Sequence, residues 1–429
     1  MRTRLFEAAA VSIAFVASAA TATSSAEPVA PNVKCLSSGG VRYCHNRADQ
    51  SVFYDTPLNE VAYNVEVIHD GVNYYTVYHS EPKSRPPGSA GDSVRAGIST
   101  SYNYSLPRTS YVLWGSRDPH SLSASGAGNP MTVAGLADDP YFYTFFLGVT
   151  SDEHNYRPET WATAIGRIYL LQSRTTDSRS FEVRTERGWM PYSDEASPSA
   201  IEDVNGEIIR SNVAMPGAKV QGQIGSISYV DGLYYYFYTD YSADGSAFNL
   251  YYRTINNVST GTWSAATMIK KLANAGALGV GELIRFAKVQ NSNRWAALYG
   301  CYDHAGKSDV CIEYTSNLKV IGSGGISDLS LAIKSEYALG VAGGVTAQVD
   351  WLTDKYGNLG TVDGQPATRG GEFYWTNFDP GTCKSRATVG CPIYGGQVFR
   401  GGWDVIGMSD GASGTPSDLR DGSSSGGRP

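Results

Sequence analysis

Residues Gln223 to Thr254, QIGSISYVDGLYYYFYTDYSADGSAFNLYYRT, contain the strand and turn pattern that decides the fold. A short β-branched and aromatic run ends at Asp231-Gly232, a two-residue hairpin turn, and Leu233 to Thr239 continues as an aromatic strand. Ala247 to Thr254 reads as a third strand after a second polar turn, and Thr262 to Ile269 as a fourth. The stretch therefore predicts a four-stranded antiparallel meander.

Such a meander has no second layer to cover its faces, so it needs copies of itself. The same order of strand, polar turn and aromatic strand recurs, with hairpin openings near residues 65, 140, 224, 283 and 349. Five four-stranded units predict an all-β protein with a five-bladed β-propeller, in which radial repetition protects the sheet edges. A large β-sandwich or a β-helix is the alternative architecture.

The N-terminal residues predict an exported protein. Residues 1–26 combine Arg2 and Arg4 with a short apolar core and small residues, as a secretory signal peptide does. Residues 27–59 are interpreted as a cysteine-tied N-terminal segment, residues 60–408 as the propeller and residues 409–429 as a disordered Gly/Ser-rich tail. We therefore expect a secreted protein, extracellular or periplasmic, without a membrane span.

The six cysteines suit an oxidising compartment, because all of them fall into local pairs. The pairs are Cys35 with Cys44, Cys301 with Cys311, and Cys383 with Cys391. Disulfides that staple hairpins are the stronger interpretation, since the spacing of a zinc site is missing from the sequence. We expect no metal and no cofactor.

Composition limits the partners. The net charge of -7 comes without a stripe of Lys and Arg, so a nucleic-acid partner is not expected. An aromatic content of 12% suits a ligand with apolar faces and hydroxyl edges, such as an oligo- or polysaccharide, although most of the 29 tyrosines are expected to fill sheet faces. We expect a monomer.

Several short motifs carry a family resemblance. They are Ser226 to Tyr238, His69-Asp70-Gly71 followed by Tyr74-Tyr75, and Asp139-Pro140 before Tyr141 to Tyr143. This rhythm resembles the five-bladed β-propeller glycoside hydrolases of family 43 and their relatives. The resemblance implies a glycoside hydrolase that cleaves a polysaccharide, for example a pentose-containing arabinan or xylan, with paired carboxylates at the starts of innermost strands.

The resemblance yields three candidate catalytic carboxylates. Glu282, which follows Gly281 and precedes an apolar strand, resembles the catalytic acid of the family. Asp139 looks like the family's Asp-Pro at a strand entrance, and Asp350 shares the side of its strand with Gln348 by the period of two. Two of these residues also have a non-catalytic interpretation. Glu282 is then a solvated Glu at a strand end, and Asp139 belongs to an ordinary Asp-Pro turn.

Four further residues are predicted to bind substrate: Asn64, Asp138, Gln223 and Gln348. Gln223 and Gln348 occupy strand-start positions comparable to that of Glu282, and Asn64 stands where the family pattern has an Asp. Because amides replace acids here, a non-catalytic propeller that binds a glycan or a protein is the alternative function. Hydrolysis requires two carboxyl groups that lie within about 10 Å of each other.

Overall fold

A computed structural model describes residues 34–38, 41–53, 60–72, 74–82, 95–101, 109–114, 127–148, 166–173, 181–191, 199–211, 224–241, 248–272, 284–290, 293–302, 308–320, 329–333, 345–360, 370–378 and 397–406. Within these ranges the elements are β-strands, with one 3₁₀ turn at Leu318–Val320. Residues 1–26 and 409–429, predicted as signal peptide and tail, lie outside them.

The largest sheet has nine strands. In order of pairing they are β1 (Lys34–Ser38), β2 (Val41–Phe53), β23 (Gln397–Ile406), β22 (Gly370–Phe378), β21 (Val345–Asp354), β3 (Glu60–His69), β4 (Tyr74–Pro82), β5 (Arg95–Ser101) and β6 (Thr109–Trp114). The pair β21 and β3 is parallel and divides the sheet into two antiparallel groups. The described part of the N-terminal segment thus belongs to a sheet, since β2 pairs with β23, the last described strand.

Three further sheets are antiparallel. The six-stranded one contains β7 (Ala127–Ala134), β8 (Phe142–Gly148), β9 (Gly166–Ser173), β10 (Phe181–Thr185), β11 (Gly188–Pro191) and β12 (Arg210–Ser211). The two four-stranded ones are β13 (Ile224–Val230), β14 (Leu233–Tyr241), β15 (Phe248–Ile255) and β16 (Thr267–Leu272), and β17 (Ile284–Lys288), β18 (Trp295–Tyr302), β19 (Ser308–Thr315) and β20 (Leu329–Ile333). The predicted all-β class with antiparallel sheets is confirmed.

The predicted meander corresponds to β13 to β16. Its first turn has positive φ at both central residues, 50° at Asp231 and 87° at Gly232, as a tight hairpin requires. The fourth strand begins at Thr267 rather than Thr262. The reason is a turn in which the Asn257 side chain accepts hydrogen bonds from two backbone N–H groups, after which Trp263 is buried in the core.

The second unit opens earlier than its sequence predicts. Its first strand is β7, and the aromatic run predicted as the opening, near residue 140, is the second strand β8. β7 was not recognised because Gly128, Asn129 and Pro130 form strands poorly.

The first strands of the five antiparallel groups, β3, β7, β13, β17 and β21, are called the ring strands, because each contacts the next and β21 contacts β3. β21 and β3 run in the same direction, and at the end of β17 Lys288 O accepts from Leu359 N at 2.8 Å. Ala134 N donates to Lys355 O at 2.7 Å, and Tyr229 N donates to Tyr356 O at 2.8 Å, so the C-terminal ends lie together. This side is called the turn end, and the opposite side the start end.

The hydrophobic core lies between neighbouring sheets. Phe237 of β14 packs against Phe286 of β17, with ring centroids 4.7 Å apart, and joins the two four-stranded sheets. Phe145 of β8 meets Trp263 at 5.7 Å and joins the six-stranded sheet to β13–β16. Burial of these large rings is the main favourable contribution to holding the sheets together.

The turn after β21 packs directly on β13. Ser228 Oγ donates to Gly357 O at 2.7 Å. Gly357 has a φ of 75°, and a Cβ at this position would collide with the backbone carbonyl of Ile227. The contact therefore requires glycine at this position.

The predicted cysteine pairs differ in strand register. Cys35 lies directly opposite Cys44 in the β1–β2 pair, whereas Cys301 lies opposite Asp309 and Cys311 opposite Tyr299. Directly opposite residues have the Cα separation of a disulfide, while diagonal ones are about 7–8 Å apart. Cys383 and Cys391 lie outside the described residues, and the three disulfides stay a prediction.

Candidate active site

A buried polar cluster lies where the five ring strands meet. Each strand contributes one residue, and each of these residues is between 0% and 7% exposed. The residues are Glu66 of β3, Thr132 of β7, Ser226 of β13, Arg285 of β17 and Asp350 of β21. We call this set the ring cluster.

The Glu66 carboxyl is held by one backbone group. Its Oε2 accepts a hydrogen bond from Thr132 N at 2.6 Å. Burial, followed by the repulsion of the Asp350 carboxyl, raises the pKa of Glu66 well above its ordinary 4.5, and the attraction of Arg285 only partly offsets this. Burial therefore shifts Glu66 toward its protonated form, compared with a carboxyl group in water.

Asp350 is the partner of Arg285. Asp350 Oδ2 lies 3.4 Å from Arg285 Nε, and its Oδ1 accepts from Trp351 N at 2.7 Å. Burial raises the pKa of Asp350 to about 6, against the opposing effects of Arg285 and the Trp351 N–H. Arg285 is itself fixed, because its Nη1 donates to Gly225 O and its carbonyl accepts from Trp351 Nε1 at 3.0 Å.

Four of the five ring strands, β3, β7, β13 and β21, share a second feature, a break in register near the start end. The register shifts between Tyr63 and Glu66, between Gly128 and Met131, between Ile224 and Ser226, and between Ala347 and Val349. The residues inside these irregularities are Asn64, Val65, Asn129, Pro130, Gly225 and Gln348. Bulges commonly border binding sites, where they redirect side chains. The start end is therefore a candidate mouth above the ring cluster.

The predicted site residues divide between this region and the turn end. Asp350 belongs to the ring cluster, and the backbones of Asn64 and Gln348 lie in the bulges, two residues before Glu66 and Asp350. Glu282 and Gln223 lie outside the described residues; they precede Ile284 and Ile224, the first residues of β17 and β13.

The structure corrects the position of Asp139. It lies in the turn between β7 and β8, at the turn end, and not at the entrance of a first strand. Its Oδ1 accepts from Tyr141 N at 3.1 Å and its Oδ2 from Tyr143 OH at 2.6 Å, while Asp138 is exposed in the same turn. The Asp139 carboxylate thus accepts hydrogen bonds that order its own turn.

Sequence reasoning missed Glu66, Arg285 and Asn129. Glu66 could have been found by the period of two, since it follows Asn64 as Asp350 follows Gln348. Arg285 has no such signal, because Gly225, which accepts its hydrogen bond, is 60 residues away. Asn129 was missed together with the whole of β7.

In the described part of the chain, His, Cys, Asp and Glu form no group of three that could hold a metal ion. No helix there is long and apolar enough to cross a membrane.

Comparisons with known proteins give structural neighbours alone. No family model matches the sequence, and no curated protein matches it. Among solved structures, a family 62 α-L-arabinofuranosidase from Coprinopsis cinerea is similar with a TM-score of 0.47 at 9% identity, over 83% of this chain and 95% of that one. A family 117 glycoside hydrolase from Zobellia galactanivorans is similar with a TM-score of 0.47 at 9% identity, over 85% of this chain and 90% of that one.

An endo-arabinase from Bacteroides thetaiotaomicron is also similar, with a TM-score of 0.41 at 11% identity, over 84% of this chain and 99% of that one. These neighbours are glycoside hydrolases, the class of protein that the sequence motifs resemble. A likeness at this level carries no argument about activity or substrate, which therefore rest on the residues of this chain.

Proposed function

We propose that this protein is a secreted glycoside hydrolase with a five-bladed β-propeller fold. The five antiparallel groups would be its blades, since their first strands contact one another in a closed ring and β2 completes the last group. The substrate class, a polysaccharide of the arabinan or xylan type, follows from the motif resemblance. Export follows from the leader-like composition of residues 1–26.

The observation that carries the proposal is the pair of buried carboxyl groups with Arg285 beneath the start end. Buried charges are costly, and titratable groups with shifted pKa values gather at functional sites more often than elsewhere. Asp350 has a pKa of about 6 and is ionised near neutral pH. A general base works best when its pKa lies near the operating pH.

We assign Glu282 as the general acid and Asp350 as the second carboxylate. In the sequence, Glu282 stands two residues before Ile284, the first residue of β17. Asp139 is the weaker partner, because its turn lies at the other end of the ring strands. In this scheme Glu282 protonates the leaving oxygen, and Asp350 takes a proton from the attacking water.

The amides at the start end are the proposed sugar contacts. Asn64, Gln223 and Gln348 each offer a donor and an acceptor, which suits hydroxyl groups. The same observation favours the second candidate function, a glycan-binding propeller without catalysis. In that case the mouth would be lined by four amide residues and by the carboxylate of Glu282. The amides are Asn64, Asn129, Gln223 and Gln348.

The test is Glu282→Gln in the mature protein, assayed on arabinans, xylans, galactans and fructans. Gln keeps the size of the side chain but removes the proton, so turnover on an unactivated polysaccharide is expected to fall by at least ~10²-fold. Substrates with an acidic leaving group should lose much less. Glu186→Gln, at an exposed turn, is the matched control and should keep full activity.

Two results would contradict the proposal. Equal activity of the Glu282→Gln and Glu186→Gln variants would remove Glu282 from the reaction. Retained affinity for a glycan with no cleavage of any substrate by the unmodified protein would establish the binding module instead.

A further inference from the structure

We propose that Glu66 keeps its proton in the folded protein at neutral pH, so that Asp350 alone carries the negative charge that Arg285 balances. Glu66 then acts as a positioning residue for the charge on Asp350. This second statement rests on the proposed function, whereas the protonation of Glu66 does not.

The hydrogen bonds distinguish the two carboxyl groups. Asp350 lies 3.4 Å from the Arg285 guanidinium and also accepts from a backbone N–H at 2.7 Å. Glu66 accepts from one backbone N–H, that of Thr132. A guanidinium stabilises a carboxylate more than a neutral donor does, so the negative charge belongs on Asp350.

The charges of the ring cluster lead to the same assignment. Among the described residues, the charged side chains of the ring cluster are two carboxyl groups and one guanidinium, while the Thr132 hydroxyl is hydrogen-bonded to the Thr144 hydroxyl and the Ser226 hydroxyl accepts from Phe286 N. Ionisation of both carboxyl groups would leave one uncompensated charge in a site whose members are at most 7% exposed. A proton on Glu66 makes the cluster neutral, which removes that cost.

The assignment predicts how stability depends on pH. Since burial raises the pKa of Glu66 above its ordinary 4.5, the folded chain keeps a proton that the unfolded chain releases. Its contribution is full below about pH 4.5 and is lost as the pH rises toward the folded pKa. In that window the equilibrium constant for folding should fall by up to tenfold per pH unit.

Other groups titrate in the same range and must be separated. Asp350, with a pKa of about 6, and Asp354, whose pKa is raised by burial, add slopes of the same sign. Burial lowers the pKa of Lys288 to about 8, which gives a slope of the opposite sign. All three are present in the unmodified protein and in a Glu66 variant, so the difference between these two isolates Glu66.

The experiment compares urea unfolding of the whole protein, Glu66→Gln and Asp350→Asn from pH 5 to 9. Gln has the shape of a protonated Glu and can still accept from Thr132 N. Above pH 6, Glu66→Gln should therefore lack the Glu66 slope and become at least tenfold more stable relative to the unmodified protein by pH 9. Asp350→Asn should lose the slope as well, because the positive charge of Arg285 then stabilises an ionised Glu66 instead of Asp350. Glu186→Gln should keep it.

Equal pH dependence of Glu66→Gln and the unmodified protein would mean that Glu66 is ionised and would overturn the proposal. Failure of Glu66→Gln to fold at pH 7 would do the same, since a neutral mimic would not replace the native group. For the positioning role, the acidic limb of the kcat/KM profile near pH 6 should persist in Glu66→Gln. Absence of any hydrolase activity would contradict the proposed function. The unfolding comparison would still decide whether Glu66 is protonated in the folded protein.

Discussion

The turn end and the ring cluster both contain carboxyl groups, but their partners lie at very different distances along the chain. At the turn end, Asp139 accepts from Tyr141 and Tyr143, two and four residues away. In the ring cluster, Glu66 accepts from Thr132, which is 66 residues away. Asp139 therefore orders its own loop, whereas Glu66 joins two separate sheets.

This difference separates two reasons for keeping an acid in a β protein. An Asp in a turn satisfies backbone N–H groups that would otherwise lack partners, and it does so near solvent. A buried carboxyl group costs free energy unless a counter-charge or a proton compensates it. The comparison predicts that cluster substitutions cost more stability than turn substitutions and depend more strongly on pH.

The largest effect is expected for Arg285→Met, which keeps volume but leaves Asp350 without its cation. Breaking a buried ion pair in this way should lower the free energy of unfolding by about 3–5 kcal/mol at pH 8. Below the pKa of Asp350, about 6, the carboxyl group is protonated and the loss should be smaller. Urea unfolding at pH 8 and pH 5 measures both.

Arg187→Met provides the control, because Arg187 is exposed at a turn. It should change the free energy of unfolding by less than about 0.5 kcal/mol at either pH. A loss for Arg285→Met that is the same at pH 8 and pH 5 would show that Arg285 contributes by packing and not by charge.

An intermediate effect is expected for Asp354→Ala at the turn end. Asp354 accepts from Tyr356 N at 2.8 Å, from the Asn358 N at 2.9 Å and from the distant Gln290 Nε2 at 2.7 Å. Removing these acceptors should cost about 2 kcal/mol, since hydrogen bonds to a charged group are worth more than neutral ones. Thermal unfolding measures the loss, and a cost as large as that of Arg285→Met would erase the distinction between the two regions.

The same distinction explains what the sequence could predict. The meander β13 to β16 was predictable because Asp231-Gly232 and the aromatic run after it are local signals of turn and strand. Glu66, Arg285 and Asp350 come from three different strands, and no local sequence pattern predicts that these three residues lie together. Their burial is a consequence of the ring contacts, which depend on sheet packing over the whole chain.

The strand β7 shows the opposite failure, in which local signals were misleading. Asn129 and Pro130 disfavour a strand, yet both lie in its register irregularity, where the pairing that proline would disrupt is already broken. The aromatic run of β8 then took the place of a first strand, and Asp139 was assigned to a strand entrance. Because β7 precedes β8 in this unit, Asp139 lies in the turn between these two strands, at the turn end.

The smallest effect is expected for Asp139→Asn. Asn can still accept from Tyr141 N, and its amide N–H can donate to the Tyr143 hydroxyl, so the turn should lose only about 0.5–1 kcal/mol. Turnover on the polysaccharide that the unmodified protein cleaves should stay within about twofold, because Asp139 lies at the turn end. A fall of ~10²-fold or more with unchanged thermal unfolding would return Asp139 to the catalytic pair and would mean that the reaction takes place at the turn end.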